Sequence, residues 1–465
     1  MAETISLQSM RSTQDLTSRR RPGGHTSSDI TLTPPQKQDL DLDGIAAGAQ
    51  SAGAAPAVLP KSLALKQLVG AAVTLLVLFW ANTSWIMGKM YKQADHAHRL
   101  HILAIDLDGG PIGSSLLSTT ALLSGTHGQP TYVNTPFSSS SASSESYSSI
   151  YTRVRTGGPI WGAIIANPSA STNLSAALTS NTTTPYDATT ALTIIYNEAR
   201  FRTVEISLIY SNLLAAAAAT AATYQRSHGA ATIASLSNAS ASSIAAALQP
   251  VAYTVDNITP FGFSSSVLLN TVMFVFPPLS QFFVVMAANG ILAGGAGAYA
   301  RWSLRSNLLV RAVLGTAYPC LIGLSWAGWV YTWKDGADLG AGQYFLSWLT
   351  VWLYASINFW VIDGTCAVLE MRWMPFFVIT AIITQVSAVL SPMELASNFY
   401  RIEYLLPSHH IWGILMTIFG NGAANELKVN LTVAVLMLPV AASWGLWGNW
   451  RRWTKASAAV AAGRA

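Results

Sequence analysis

Apolar residues are spread unevenly along this chain. One stretch from Leu68 to Gly88 stands alone, a long and mostly polar interval follows, and further apolar stretches crowd between Val267 and Trp447. A helix rises about 1.5 Å per residue, so crossing a bilayer's hydrocarbon core takes about 20 apolar residues. Six segments qualify: Gln67 to Met87, Val267 to Leu292, Leu308 to Tyr331, Tyr344 to Ile362, Trp373 to Leu390 and Val429 to Trp447. The expected fold class is a polytopic α-helical membrane protein with six transmembrane helices and a large α/β or α+β extracytoplasmic domain between the first and second. The expected boundaries are a disordered cytoplasmic tail over 1–66, the first helix over 67–88 and the outer domain over 89–263. Five helices over 264–448 follow, with a re-entrant segment near 392–428, and a second cytoplasmic tail over 449–465.

Composition excludes several alternatives. Hydrophobic residues make up 51% of the 465 and charged residues only 10%, against about 25% charged in a soluble domain. Arg11, Arg19, Arg20, Arg21 and Lys37 punctuate a head of Ser, Thr, Gln, Pro and Gly that is too polar to build a core. The first apolar stretch starts too late for a cleaved signal peptide and reads as a signal anchor. The net charge of +5 is scattered rather than gathered on one face, which argues against a nucleic-acid partner. With Cys320 and Cys366 as the only cysteines, no disulfide framework or zinc site is expected. No cofactor or metal is expected, and without a phosphate-binding Gly-x-x-x-x-Gly-Lys-Ser/Thr loop any transport must draw energy from a partner or a gradient.

Orientation follows from the later loops. Lys61 and Lys66 precede the first span, while Lys89, Lys92 and Arg99 follow it, so its flanks decide nothing. Arg301, Arg305 and Arg311 fall between the second and third spans, and Arg451, Arg452 and Lys455 follow the last. An even number of crossings puts both groups with the N-terminus, in the cytoplasm, and Lys89 to Phe263 outside. Glycosylation triplets at Asn173, Asn181, Asn238 and Asn257 fall in that outer interval. Tryptophans gather at span ends, as in Trp326, Trp329 and Trp333, where indoles anchor at the headgroups.

Within the outer interval, His101 to Asp108 and Pro159 to Ala166 read as strands, Asp187 to about Arg226 as one long Ala-rich helix, and Ala239 to Leu248 as another. A strand running into Asp-x-Asp-Gly is how haloacid-dehalogenase-type phosphatases present two catalytic aspartates, here Asp106 and Asp108. The rest of that machinery is not found, and the simpler expectation is that both aspartates end the strand and cap the next helix. No enzyme activity is expected. Asn197, Glu198, Arg200, Arg202 and Glu205 read as a solvated, salt-bridged helix face, with Arg200 as the ligand candidate.

Polar groups are scarce in the membrane half. Gln281, Asn289, Asn358 and Gln385 are neutral candidates for hydrogen bonds between helices or for a substrate path. Gly290 and Gly294 suggest close packing, Pro277 and Pro278 a kinked helix, and Asp363 and Glu370 an interfacial inner loop. Between the last two spans, Ile411 to Phe419 is apolar but too short to cross. Its surroundings carry Glu394, Arg401, Glu403, His409 and His410, which mark a re-entrant segment and a pH-responsive lining. Glu403, His409 and His410 join the substrate-path candidates.

AIDLDGGPIG, WGAIIANPSAS, IIYNEAR, ALQPVAYTVDNITPFG, NTVMFVFPPLSQFFVVMAANGI and SPMELASNFYRIEYLLPSHHIWGILMTIFG, in that order, resemble the fungal nitrosoguanidine-resistance membrane proteins. The likeness runs from about Leu63 to Trp450. The layout is similar to phage-infection proteins and, more distantly, to the membrane half of type-2 ABC exporters. That resemblance implies a plasma-membrane protein engaged in tolerance to toxic amphipathic compounds, through their export or through lipid distribution. It supplies no catalytic residues. The expected partners are the bilayer, an amphipathic small molecule or lipid, and a second copy in a homodimer. The competing expectation is a non-transporting surface scaffold or sensor whose glycosylated outer domain binds a partner.

Overall fold

The computed structural model describes residues 60–138, 145–179, 185–236, 240–262, 264–294 and 297–463. Asn181, Asn238 and residues 1–59 of the expected tail lie outside that set. Helix α1 (Lys61–Met90) opens the described chain, so Lys61 to Lys66, assigned above to the tail, are helical.

The polar interval then builds a sheet. In chain order it holds β1 (His101–Asp106), α2 (Pro111–Leu123), β2 (Thr131–Thr135), α3 (Tyr147–Thr156), β3 (Ile160–Ala166), α4 (Ala170–Thr179), β4 (Leu192–Tyr196), α5 (Arg202–Ala234), α6 (Ala241–Leu248) and β5 (Tyr253–Asn257). The five strands lie in the order β2-β1-β3-β4-β5. Only the β3–β4 pairing is antiparallel. Successive strand residues point to opposite faces. Ile102, Ala104, Ile164 and Ile194 therefore pack beneath Ile112 of α2, Leu174 of α4 and Ile209 of α5, while Leu103, Ile105, Ala163 and Ile165 meet Ile150 and Val154 of α3. Both faces are covered, which is why the central strands read as unbroken apolar runs.

One expectation is overturned here. The long helix drawn over Asp187 to Arg226 instead contains a short turn at Ala188–Thr190, the strand β4 and a loop, before α5 begins at Arg202. Thr193, Ile194 and Ile195 are β-branched and sit between two strands, a setting that outweighs the helix preference of the alanines downstream. In α5 the buried positions Ile209, Leu213, Ala216, Ala217, Thr220 and Tyr224 form one stripe, the spacing of a helix lying on a surface.

The remaining elements are α7 (Val272–Ala293), α8 (Leu304–Thr332), α9 (Ala341–Thr365), α10 (Met374–Leu390), α11 (Pro407–Phe419) and α12 (Leu427–Ala462). Seven of the described helices, namely α1, α5, α7, α8, α9, α10 and α12, are long and apolar enough to cross a membrane. The architecture is that of a mostly helical, polytopic membrane protein carrying one small sheet.

Helix α9 is the hub of the bundle and packs on α7, α8, α11 and α12. Glycines permit the closest approaches, as they do in membrane helices generally. A Cβ on Gly323 of α8 would lie 2.8 Å from the Trp352 backbone nitrogen, and one on Gly448 of α12 would lie 2.9 Å from the Gly364 Cα. The expected pair differs: Gly290 has nothing within 4 Å, and Gly294 meets only the Gly290 carbonyl.

Pro277 and Pro278 lie inside α7. Lacking N–H groups, they leave the carbonyls four residues earlier, on Met273 and Phe274, without helical donors. Both carbonyls are recovered by side chains of neighbouring helices: Trp326 Nε1 donates to Met273 O at 3.1 Å, and Tyr354 Oη donates to Phe274 O at 3.2 Å. Unsatisfied backbone is costly where no water reaches. Tyr354→Phe should lower stability by about 1–3 kcal/mol, and by clearly less in a Pro278→Ala background, where the helix supplies its own donor. Denaturant unfolding of the four variants in one detergent checks this, and an unchanged Tyr354→Phe penalty in the Pro278→Ala background would refute it.

Candidate functional site

Between α10 and α12 the chain does not turn directly. It forms short turns at Met393–Leu395 and Asn398–Leu405 and then α11. This segment is the joint of the molecule. Glu403 is fully buried and accepts from Lys89 Nζ at 2.7 Å, Trp85 Nε1 at 3.0 Å and Ser387 Oγ at 2.6 Å. Lys89, read from sequence as a span flank, is likewise fully buried at the end of α1. Tyr400 Oη donates to Trp85 O at 2.8 Å, so the pair is held from both sides.

The same segment carries the sheet. Arg99 donates to the carbonyls of Glu394 and Ala396, and Arg155 to that of Asn421, while the Ala424 amide donates to Arg155 O. Phe201 meets Trp412 edge-on with centroids 6.1 Å apart, and Phe261 lies 5.2 Å from Phe419.

A cleft of ≈ 100 Å³ opens at this junction, lined among others by Trp161, Arg200, Glu394, Tyr404, Trp412 and Glu426. Arg200 lies in the loop after β4, not on a solvated helix face. It is buried, stacks 3.7 Å from the centre of the Trp161 ring, and donates to the carbonyls of Ile160 at 2.9 Å and Gly158 at 2.5 Å. Its expected companions Asn197, Glu198 and Glu205 are buried too. Glu198 accepts from Arg202, Asn257 and the Phe261 amide. Neither Glu205 oxygen has a hydrogen-bond partner.

His409 also lines the cleft. Burial, helped by the neighbouring His410 and Lys89 charges, pushes its imidazole down to about 4, so it stays neutral through the pH range in which histidine switches usually work. His410 is buried, with its ring nitrogens 3.0 Å from Asn430 Oδ1 and 2.8 Å from Tyr404 O.

The neutral path candidates divide. Gln385 Nε2 donates to Asn358 Oδ1 at 2.8 Å, and Asn358 donates to Tyr354 O at 2.9 Å. Gln281 is fully buried with neither amide atom partnered, and Gln385 Oε1, Ser408 Oγ and Trp412 Nε1 are unpartnered as well. Asn289 belongs instead to a buried network at the other end of the bundle. Arg311 of α8 donates to Asn289 and to Tyr299 Oη, and lies 3.2 Å from Asp363 of α9, which also accepts from Arg452 of α12 at 2.8 Å. Asp363 is therefore no interfacial loop residue; it is fully buried within a helix. Glu370 is exposed and pairs with Arg372.

Asp106 closes the turn that ends β1, and Asp108 reaches the first turn of α2. Asp106 Oδ1 accepts from the amides of Asp108 and Gly109, and Asp108 accepts from the Ser171 amide and hydroxyl and from the Gly113 amide in the first turn of α2. A Cβ on Gly113 would fall 1.9 Å from Asp106 Oδ1, so the turn needs glycine there. Burial raises the Asp106 carboxyl above the usual carboxylate range, against the pull of the Gly109 and Asp108 amides. Asn173 is exposed on α4, whereas Asn257 Nδ2 is held by Glu198 at 2.8 Å.

Sequence reasoning missed Lys89, Arg311, Asp363 and Arg452 as buried partners, and Trp161 and Glu426 as cleft residues. The available signal was the position of each charge within a few residues of a span end opposite a countercharge, which does not by itself distinguish pairing from a solvated flank.

A protein-family model described as "Protein of unknown function (DUF3533)" matches residues 71–441, from within α1 to within α12. No curated protein and no solved structure matches the chain.

Removing one partner of a buried ion pair leaves the other charge stranded. Glu403→Gln or Lys89→Met alone should each cost about 3–5 kcal/mol, and the joint replacement Lys89→Met with Glu403→Met much less than their sum. Unfolding measurements on this cycle in detergent check the claim; additive losses would refute it.

Proposed function

The chain belongs to the DUF3533 family of proteins of unknown function, and from that premise we propose that it is a plasma-membrane protein of transporter-like architecture. It acts in export of, or tolerance to, toxic amphipathic compounds, or in distributing lipid across the bilayer, as do the fungal nitrosoguanidine-resistance proteins it resembles. In this reading α1, α7, α8, α9, α10 and α12 cross the membrane, while α5 serves as a cover for the sheet. Both termini are cytoplasmic, the sheet domain is outside and α11 is re-entrant. Arg311 and Arg452 are tied to Asp363 and lose weight as orientation signals. Arg301, Arg305, Arg451 and Lys455 remain on the same side to support the assignment.

The observation that carries the proposal is the set of unpartnered polar atoms on Gln281, Gln385, Ser408 and Trp412. They sit on α7, α10 and α11, whose apolar residues share one buried cluster that includes Phe274 and Trp412, with rings 6.1 Å apart. Buried polar groups in native proteins are nearly always bonded, and more so in lipid. A track of free amide and hydroxyl groups is what a passing polar headgroup requires. The scaffold alternative rests on a different observation: the buried bundle charges Lys89, Glu403, Arg311 and Asp363 are all consumed in ion pairs.

Gln281→Leu separates the two readings. It removes a buried amide without partners, so stability should hold or rise, while flux of a fluorescent amphipath or lipid from proteoliposomes should fall by about tenfold, equivalent to about 1.4 kcal/mol in a barrier. Wild-type protein with no flux above empty liposomes would sink the transport reading. Placement of the sheet domain outside predicts an endoglycosidase-sensitive shift in fungal membranes that Asn173→Gln reduces and Asn257→Gln leaves intact, since the Asn257 amide is engaged by Glu198. Absence of any shift, with Lys92 labelled from the cytosol, would reverse the orientation.

A further inference from the structure

The cleft at the joint has a charge pattern that the transport proposal does not use. Two carboxylates, Glu394 and Glu426, line it, and neither forms a salt bridge among the described residues. The one guanidinium in the lining, Arg200, is already committed. It lies over Trp161 and donates to the Ile160 carbonyl of β3 and to the Gly158 carbonyl just before it, and the charges of Glu205, then Glu394 and Glu426, act on it without a salt bridge to any of them. His409, also in the lining, is neutral at physiological pH. Counting formal charge among the lining residues, Glu394 and Glu426 contribute −2 and Arg200 +1, leaving the cleft at −1.

The walls between these carboxylates are aromatic: Trp161, Phe201, Tyr404 and Trp412. Aromatic faces attract cations through the ring quadrupole, and more strongly where water is partly excluded. Trp161 and Trp412 add a second feature. Both are more than nine-tenths buried, both line the cleft, and neither indole N–H has an acceptor. A buried indole N–H ordinarily finds one. Unpaired carboxylates, aromatic walls and free donors together describe a ligand with a cationic head, an apolar body and a hydrogen-bond acceptor near the head.

We propose that this cleft binds an organic ammonium group, carried by an amphipathic cation or by the headgroup of a choline or amine lipid. The site rests on the reading above only for its placement at the outer surface; its chemistry stands on the cleft residues themselves. It is reached from the sheet domain by Trp161 and from the re-entrant segment by Glu394, Tyr404 and Trp412, so an occupant would touch both sides of the joint.

The test uses the full chain in nanodiscs and two dansyl probes matched in size, one ending in a trimethylammonium group and the other, dansyl taurine, in a sulfonate, read by fluorescence polarisation. The ammonium probe should bind saturably and the sulfonate should not. Glu394→Gln with Glu426→Gln should weaken binding of the ammonium probe by about tenfold, the scale of a lost charge contact at a partly exposed site. Both glutamates are at least partly exposed, so the double variant should keep the wild-type unfolding midpoint. Glycerophosphocholine that displaces the probe identifies a lipid headgroup as the occupant, and failure to compete identifies a free amphipathic cation. Equal binding of both probes to wild type, a result that needs no variant, overturns the proposal, as does unchanged affinity for the ammonium probe in the folded double variant. Probe binding without flux would remove the transport reading and leave the site; flux without probe binding would do the reverse.

Discussion

A charge buried in this bundle must find its counterion within the protein, and that requirement fixes how the pieces meet. In lipid an apolar helix gains little by choosing protein over acyl chains. Helix α1 shows the consequence, because its most apolar window has no buried residue, leaving hydrophobicity almost nothing with which to set its position. Lys89 supplies what the apolar surface cannot. Pairing with Glu403 fixes the depth and rotation of α1 against α10, and weaker polar contacts follow along the same seam, Asn82 with Thr380 and Gln93 with Ser391. Such pairs cost much of what they return in desolvation. Their value here is register.

The second buried network does the corresponding job at the other end. Asp363 of α9 holds Arg311 of α8 and Arg452 of α12, and Asn289 brings in α7. Antiparallel packing places this cluster away from the first: Gly315 of α8 lies against Phe359 of α9, while Gly323 lies against Trp352. The bundle is thus pinned at two levels. Between them run apolar contacts, close glycine crossings and the few amides without partners. At one level the pin is also the platform of the sheet domain, since Glu403 belongs to the segment whose carbonyls receive Arg99 and Arg155.

How much of this was legible in sequence depends on the physical signal each part carries. Helices are read from length and hydropathy, and α7, α8, α9 and α10 cover the apolar runs, whereas α12 continues past Trp447 to Ala462, through most of the stretch expected as a tail over 449–465. The same two quantities also flag α5, whose buried stripe packs against the strands. The buried strands β1 and β3 were readable as short apolar runs ending in turn residues. Strand β4 was not, because Leu192 to Tyr196 runs without a strong breaker into a loop and then an alanine helix. In the site, Glu403 was visible as an out-of-place charge. Lys89, Arg311 and Arg452 were not, because a basic residue near a span end has an ordinary reading at the headgroups, and only tertiary structure shows that each has a buried acid within reach.

That division has a consequence for how selectivity would be distributed. The fully buried ion pairs of the bundle hold Lys89, Glu403, Arg311 and Asp363 at its two ends, and the unpartnered groups on its helices outside the cleft include neutral amides and a hydroxyl. A neutral track recognises a polar head through hydrogen bonds and is indifferent to the sign of its charge. The cleft, with its free carboxylates and aromatic walls, is sensitive to sign. If cargo passes from one to the other, selection by charge belongs to the joint and tolerance of varied chemistry to the track. A molecule built this way would discriminate a class of amphipaths while accepting many members of it.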